Sequence, residues 1–96
     1  MKNGKFNTYD VKTTCEKKLN IVFRSNGEFN GWYCLDGNKT CRITIPKGRK
    51  NIRTETYKSM ARQLKLSIQD FDELLECPLT PEKYVVKLRE RLSNEN

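Results

Sequence analysis

A dense run of basic residues occupies the middle of this 96-residue chain. Between positions 39 and 65, nine Lys and Arg side chains face a single acid, Glu55. The nine are Lys39, Arg42, Lys47, Arg49, Lys50, Arg53, Lys58, Arg62 and Lys65. Such side chains offer positive charge and hydrogen-bond donors to phosphates or carboxylates. The run therefore predicts a polyanionic ligand, either a nucleic acid or an acidic protein partner, with a merely solubilising surface as the third interpretation.

The charge is distributed unevenly along the chain, whose net charge is +7. Residues 1–65 hold 15 basic against 5 acidic residues, whereas residues 66–96 hold 4 against 7. The predicted helix over 68–77 contains four acids and no Lys or Arg. DNA would repel such a helix, so the helix pair 54–65 and 68–77 is not interpreted as a helix-turn-helix.

Residue types that support metal or general-base chemistry are scarce. The chain has no histidine, which removes the usual proton-transfer group near neutral pH and the commonest metal ligand. The four cysteines, Cys15, Cys34, Cys41 and Cys77, include no C-x-x-C pair. We expect no metal and no cofactor, and we interpret the cysteines as small apolar fillers, although Cys34 and Cys41 could face each other across a hairpin.

No apolar run approaches the length of a membrane span, and no apolar segment follows the basic start of the chain. We therefore expect no membrane association and a cytoplasmic location, where thiols stay reduced.

The first half of the chain predicts strands. After a polar start over 1–7 that we expect to fray, residues 8–18 give only a weak helical pattern with Thr8 as its cap. Three strand-like runs follow, over 19–24, 31–35 and 41–45. The dipeptides Asn26-Gly27 and Asp36-Gly37 lie between them and favour tight turns, and Pro46 ends the last run. A three-stranded antiparallel meander is the natural interpretation.

The second half predicts three helices. Apolar residues recur at helical spacing over 54–65 and 68–77, and Thr80-Pro81-Glu82 begins a third helix that ends near Ser93. The fold class is therefore α+β, a three-stranded antiparallel sheet packed on helices. We expect one domain over 1–96, with a strand-rich and basic-helix core over 19–65 and an acidic helical extension over 66–96. A helix, three strands and a helix also follow one another in double-stranded-RNA-binding domains, but other topologies share this pattern.

If the ligand is RNA, the basic side chains contact phosphates without reading sequence. The candidates are Arg42, Lys47, Arg49, Lys50, Arg53, Lys58, Arg62 and Lys65. Trp32 and Tyr33 are consecutive strand residues and so lie on opposite faces. Because a lone Trp usually fills the core of a small domain, we expect Trp32 inside and Tyr33 free to stack on unpaired bases.

The basic segment resembles the core of HicA-type toxins. The resemblance lies in Ile45-Pro46-Lys47-Gly48-Arg49-Lys50-Asn51-Ile52 and in residues 56–67, where Ser59-Met60-Ala61-Arg62-Gln63 precedes Leu66-Ser67. It covers about residues 19–76. The resemblance implies a double-stranded-RNA-binding-like fold, cleavage of messenger RNA and an antitoxin-type protein partner.

The family's working histidine follows a Gly-Ser pair at the start of the middle strand, where this chain has Glu28-Phe29-Asn30. Three explanations remain open. We favour a divergent member that binds RNA without cleaving it. Alternatively, Glu28 could act as the base, with Tyr33 or a neighbouring Lys as helper, or the histidine was replaced deliberately. Asn30 can hydrogen-bond a phosphate or ribose but cannot exchange protons near neutral pH.

The sequence thus predicts a small basic nucleic-acid-binding protein, with RNA as the expected ligand and no confident catalytic residue. The competing hypothesis is a non-enzymatic interaction module whose basic patch docks an acidic protein. The oligomeric state is left open.

Overall fold

The computed structural model describes residues 1–48, 51–76 and 78–94. Its elements are α1 (Thr8–Leu19), β1 (Phe23–Asn26), β2 (Glu28–Leu35), β3 (Asn38–Pro46), α2 (Thr54–Gln63), α3 (Ile68–Glu76) and α4 (Pro81–Asn94). This order confirms the α+β class and the three-stranded antiparallel sheet. None of the helices within the described ranges is long and apolar enough to cross a bilayer.

Helix α1 is regular although its sequence pattern is weak. Its cap is Asn7, not Thr8, because the Asn7 side chain accepts from the backbone of Asp10 while the Asp10 carboxylate accepts from the backbone of Asn7. This reciprocal arrangement satisfies two amides at the helix start. The helix continues to Leu19 and ends at Asn20 in the left-handed region. Leu19 therefore belongs to the helix, and the first strand begins four residues later than its sequence predicts.

The strands form the predicted meander in the order β1-β2-β3. Gly27 takes a positive φ between β1 and β2, and both Asp36 and Gly37 do so between β2 and β3. Two successive residues with positive φ are typical of the hairpin turn whose twist matches that of the strands. Strand β3 ends at Pro46, as predicted.

The helices cover one face of the sheet. Alternate residues of β3, namely Cys41, Ile43 and Ile45, are buried in a single apolar cluster with side chains from all four helices. Tyr84 of α4 donates through its hydroxyl to the Leu64 carbonyl, at 2.9 Å, inside this core. Helices α3 and α4 of the acidic extension therefore share one core with the sheet and the other helices.

The first seven residues, which we expected to fray, make specific contacts. The Lys2 backbone N–H donates to the Asp72 carboxylate at 3.0 Å, and the Asn3 amide donates to the Ile52 carbonyl at 3.0 Å. Both Lys2 and Lys5 form ion pairs with Glu76 of α3. This segment crosses the helical side of the molecule and neutralises part of its acidic surface.

Candidate nucleic-acid interface

The second face of the sheet is left open by the described helices, and we call it the open face. It forms a shallow concavity of about 460 Å³. Its lining includes the side chains of Val22, Arg24, Asn30, Trp32, Lys39 and Arg42. Trp32 is 41% exposed, and Val22 is 79% exposed. An antiparallel sheet with one solvated face normally presents polar residues there, so an indole in this position is unusual.

The prediction that Trp32 fills the core is wrong, because β2 alternates regularly and Trp32 lies on its outer side. Phe29, Tyr33 and Leu35 of β2 pack against the core, whereas Trp32 and Cys34 are exposed. A β-bulge affects the facing strand: Cys34 pairs with Lys39, but Tyr33 pairs with buried Cys41 and Trp32 with exposed Arg42. The extra residue in β3 reverses the alternation of that strand, so Lys39 lines the open face although it precedes Cys41 by two positions.

Tyr33 accordingly lies on the covered face, and the structure does not present it for stacking on a base. Its ring packs edge-on against Tyr84 of α4, with centroids 5.0 Å apart. Partial burial raises the pKa of the Tyr33 phenol. The aromatic group that could stack on a ligand is therefore Trp32.

Arg42 is held in place by its neighbours on the open face. Its guanidinium Nη2 donates to the Asn30 side-chain oxygen at 3.2 Å, and the Thr44 hydroxyl donates to the same oxygen at 2.9 Å. The Asn30 amide nitrogen in turn donates to the Glu28 carbonyl at 3.4 Å. Asn30 therefore positions a cation, a role that differs from the direct ligand contact considered from the sequence.

Lys39 lies on the other side of the indole. Its Nζ is 5.5 Å from the centroid of the Trp32 ring, within the range of a cation–π contact. In the described part of the chain, Arg24, Lys39 and Arg42 form no ion pair with a carboxylate. The open face thus combines three uncompensated cations with one exposed aromatic ring.

The structure distributes the predicted basic run over several surfaces. Lys47 lies at the end of β3, with its Nζ 5.9 Å from the Phe29 ring on the covered side. Arg53, Lys58 and Arg62 are exposed at the start and along the outside of α2, and Lys65 is partly buried in the turn after it. Arg49 and Lys50 fall outside the described residues. Of the predicted phosphate-binding residues that the structure describes, Arg42 alone lies in the concavity.

Arg24 and Lys39 were not among the predicted site residues, yet both line the concavity. Arg24 pairs with Asn30 across β1 and β2. Along the chain, Arg24 lies out of step with Ile21 and Phe23, which face the core. This alternation was the sequence signal that the Arg24 side chain faces the other side of the sheet. The face on which Lys39 lies could be predicted only with knowledge of the β-bulge, because the bulge changes the alternation of β3.

Glu28, the candidate base, is exposed at the start of β2. It lines a separate shallow depression with Glu55, Thr44 and Gln63, between the sheet and α2. The described lining of this depression includes a second acid and no Lys or Arg side chain that could stabilise charge on a phosphate.

The cysteines differ in their environments. Cys15 and Cys41 are buried and form no disulfide within the described residues, as expected of apolar fillers, and burial raises the pKa of Cys15 to about 12. Cys34 is free but exposed, while Cys77 lies outside the described residues. In the described ranges, no cluster of three His, Cys, Asp or Glu side chains could hold a metal ion.

The acidic helix α3 has carboxylates with partners of their own. Buried Asp72 accepts from the Tyr57 hydroxyl, Asp70 pairs with Lys87 at 3.1 Å, and Glu76 pairs with both Lys2 and Lys5. These pairings bind the elements of the fold to one another, so we assign them a structural role.

Comparison of the chain with protein-family models, with curated proteins and with solved structures finds no match in any of the three.

Proposed function

We propose that this protein binds single-stranded RNA on the open face of its sheet and does not cleave it. The observation that carries the proposal is the exposed Trp32 ring between Arg42 and Lys39, in a concavity that Arg24 also lines. Proteins that bind single strands combine cations along the backbone with aromatic rings on which bases stack.

The proposal favours an unpaired strand over a duplex. The bases of a duplex are stacked on one another, so they could not stack on Trp32 without leaving the helix. Arg24 and Lys39 would contact phosphates on the two sides of the stacked base, while Arg42 lies beside the base itself. This arrangement accounts for the lack of carboxylate partners for these three cations among the described residues. An acidic protein could meet the same cations, but it would make no use of the indole.

Fluorescence anisotropy with a labelled single-stranded oligouridine tests the proposal. We expect saturable binding that weakens steeply as salt rises, because bound phosphates release counterions. Trp32→Ala should lower the affinity about 5- to 150-fold, the range of one lost base–aromatic stack. Tyr9→Ala is the matched control, since Tyr9 is an equally exposed ring on α1, and it should leave affinity unchanged.

Three further probes separate the alternatives. DNA of the corresponding sequence compares the two sugars, double-stranded RNA tests the duplex, and polyglutamate tests an acidic polypeptide. Tight binding of the duplex or of polyglutamate, with no binding of the single strand, would show that the proposal is wrong.

The absence of cleavage is tested directly by incubating end-labelled RNA with the protein. We expect intact RNA, because Asn30 is a neutral amide engaged with Arg42 and Thr44. Cleavage that Glu28→Gln abolishes would overturn this part of the proposal. Cleavage that persists in both Glu28→Gln and Asn30→Ala would identify a contaminating nuclease.

The double-stranded-RNA-binding-like topology and the kinship with HicA-type toxins belong to the proposal too. Their support is the observed order α1-β1-β2-β3-α2 and the residues quoted over 45–52 and 56–67. An antitoxin-type partner would follow from that kinship. Co-purification of a stoichiometric protein from the native host would support it.

A further inference from the structure

We propose that the open face prefers guanine, with the base stacked on Trp32 and its edge bound by Arg42. This inference rests on the proposed function and adds a preference among bases to it. Asn30 is the positioning residue, because it acts on the ligand only through Arg42.

Trp32 and Arg42 lie next to each other on the open face. They are register partners on adjacent strands, so their side chains leave the sheet side by side. Strands lie about 4.8 Å apart, and directly opposite Cβ atoms are about 5 Å apart. A base that stacks on the indole therefore has one edge beside the Arg42 guanidinium.

The Arg42 guanidinium presents only hydrogen-bond donors to the edge of the base. A guanidinium carries five N–H donors and no acceptor, and Asn30 engages donors on Nη2 alone. The base must therefore present acceptors. Guanine presents two adjacent acceptors, N7 and O6, whereas adenine pairs one acceptor with a donor amino group. Uracil has no two adjacent acceptors. Cytosine has them only on its Watson–Crick edge, at O2 and N3, and its single ring offers a smaller surface to the indole. Guanine alone combines two adjacent acceptors with a two-ring surface for stacking.

Hydrogen bonds fix the orientation of the Asn30 amide. Its oxygen accepts from both Arg42 and Thr44, while its nitrogen donates to the Glu28 carbonyl. Rotating the amide by half a turn would place donor against donor at Arg42 and oxygen against oxygen at the Glu28 carbonyl. The guanidinium thus meets a defined acceptor, which pre-organises its planar fork for a bidentate contact.

Lys39 completes the arrangement without contributing to base choice. Its ammonium now faces the indole, and an incoming base would displace it toward a phosphate. A point charge of this kind binds phosphate without reading the base.

The test uses an oligouridine host with one central position changed. Guanosine, adenosine, uridine and 7-deazaguanosine are compared there, which avoids the self-association of guanine runs. Cytidine is added as a control for its O2 and N3 acceptors, and an affinity equal to that of guanosine would overturn the guanine preference. We expect guanosine to bind about 5- to 150-fold more tightly than uridine or adenosine, the range of one bidentate contact. The 7-deaza analogue, which lacks the N7 acceptor, should lose most of that advantage.

Two variants assign the preference to its residues. Arg42→Lys keeps the charge but removes the fork, so the guanosine advantage should vanish while all-uridine binding changes little. Arg91→Lys on α4 is the matched control and should retain the advantage. Asn30→Ala should also reduce the advantage, whereas Asn30→Asp keeps an acceptor for Arg42 and should preserve it.

The outcomes separate the two levels of the proposal. Equal affinity for all four probes, with Trp32→Ala still weakening binding, would overturn the guanine preference and leave the proposed function standing. A guanosine advantage that survives Arg42→Lys would overturn the assignment to Arg42. No binding of any probe would overturn the proposed function itself.

Discussion

Trp32 and Tyr33 are consecutive residues of β2, and they belong to two faces of the sheet with different roles. The Tyr33 ring packs against Tyr84 among buried side chains, where Cys41, Ile43 and Ile45 lie 0–2% exposed. The Trp32 ring is exposed and has Lys39 and its strand partner Arg42 for neighbours. The covered face holds the fold together, whereas the open face combines groups that contribute little to stability and match the chemistry of an unpaired polyanion.

The charged side chains of α3 and of the open face also differ in whether they have partners. The carboxylates of Asp70, Asp72 and Glu76 on α3 are all paired within the described chain. The cations of the open face have no carboxylate partner among those residues. We therefore assign the paired charges to structure and the uncompensated cations, together with the exposed ring, to binding.

The largest expected effect compares two adjacent residues of β3. Ile43 is fully buried, so Ile43→Ala should destabilise the fold by about 2–5 kcal/mol through lost contacts and the cavity left behind. Arg42→Ala, on the open face, should change stability by no more than about 0.5 kcal/mol. Urea denaturation followed by circular dichroism measures both. Similar losses for the two variants would contradict the division between the faces.

A smaller loss of folding stability is expected at Gly31, where the covered face has no room for a side chain. A Cβ added to Gly31 would clash with Ile21 and would lie 2.9 Å from the Phe23 ring. Gly31→Ala should therefore cost about 1–3 kcal/mol, because the neighbours must shift.

Gly4→Ala is the control for that substitution, since a Cβ there meets nothing within 4 Å. The same denaturation experiment should find it near neutral. If Gly31→Ala were equally neutral, β1 would not be packed as described.

Much of this fold was predictable from the sequence, because the strong signals are local. The turns at Asn26-Gly27 and Asp36-Gly37, the end of β3 at Pro46 and the helical spacing in α2, α3 and α4 were all confirmed. The start of α1 was harder, since its capping box uses Asn7 and Asp10 instead of a Ser or Thr.

The candidate site was less predictable, because it depends on which face each strand residue occupies. Trp32 lies out of step with Phe29, Tyr33 and Leu35, which pack against the core, and this alternation was the signal that its side chain is exposed. The β-bulge leaves no clear trace in the sequence, and it places Lys39 on the open face. The basic run also suggested one patch, but a strand, a loop and a helix carry its residues to different surfaces. Among the members of that run within the described ranges, Lys39 and Arg42 alone reach the concavity.

A moderate effect on binding should follow from removing one cation of the open face. Lys39→Ala removes one phosphate contact, so the slope of log affinity against log salt should become shallower by about 0.7. Lys83→Ala on α4 removes the same charge elsewhere, and an anisotropy titration over a salt series should give it the original slope. An equal change in both variants would mean that net charge, and not the open face, governs binding.

The smallest expected effect concerns the paired charges of α3. Hydrogen bonds from Lys2 and Lys5 lower the pKa of Glu76 below its ordinary value of 4.5. The ionised form thus stabilises the folded state above about pH 4.5, and this contribution is lost as pH falls through the lowered pKa.

Glu76→Gln should therefore be less stable than the parent near neutral pH, and the difference should shrink toward zero in acid. Glu90→Gln, whose carboxylate forms no ion pair within the described residues, should show no such dependence. Denaturation midpoints measured over a pH series report both variants. A Glu76→Gln deficit that grew in acid would contradict the pairing.

The most direct test of the central claim uses Trp32 itself. It is the only tryptophan in the chain, so indole emission, excited at a wavelength that the four tyrosines do not absorb, reports the open face alone. Titration with single-stranded RNA, with anisotropy of a labelled strand followed in parallel, should quench the indole emission along the same binding curve. A saturating anisotropy curve with unchanged tryptophan emission would place the RNA on another surface and contradict the account.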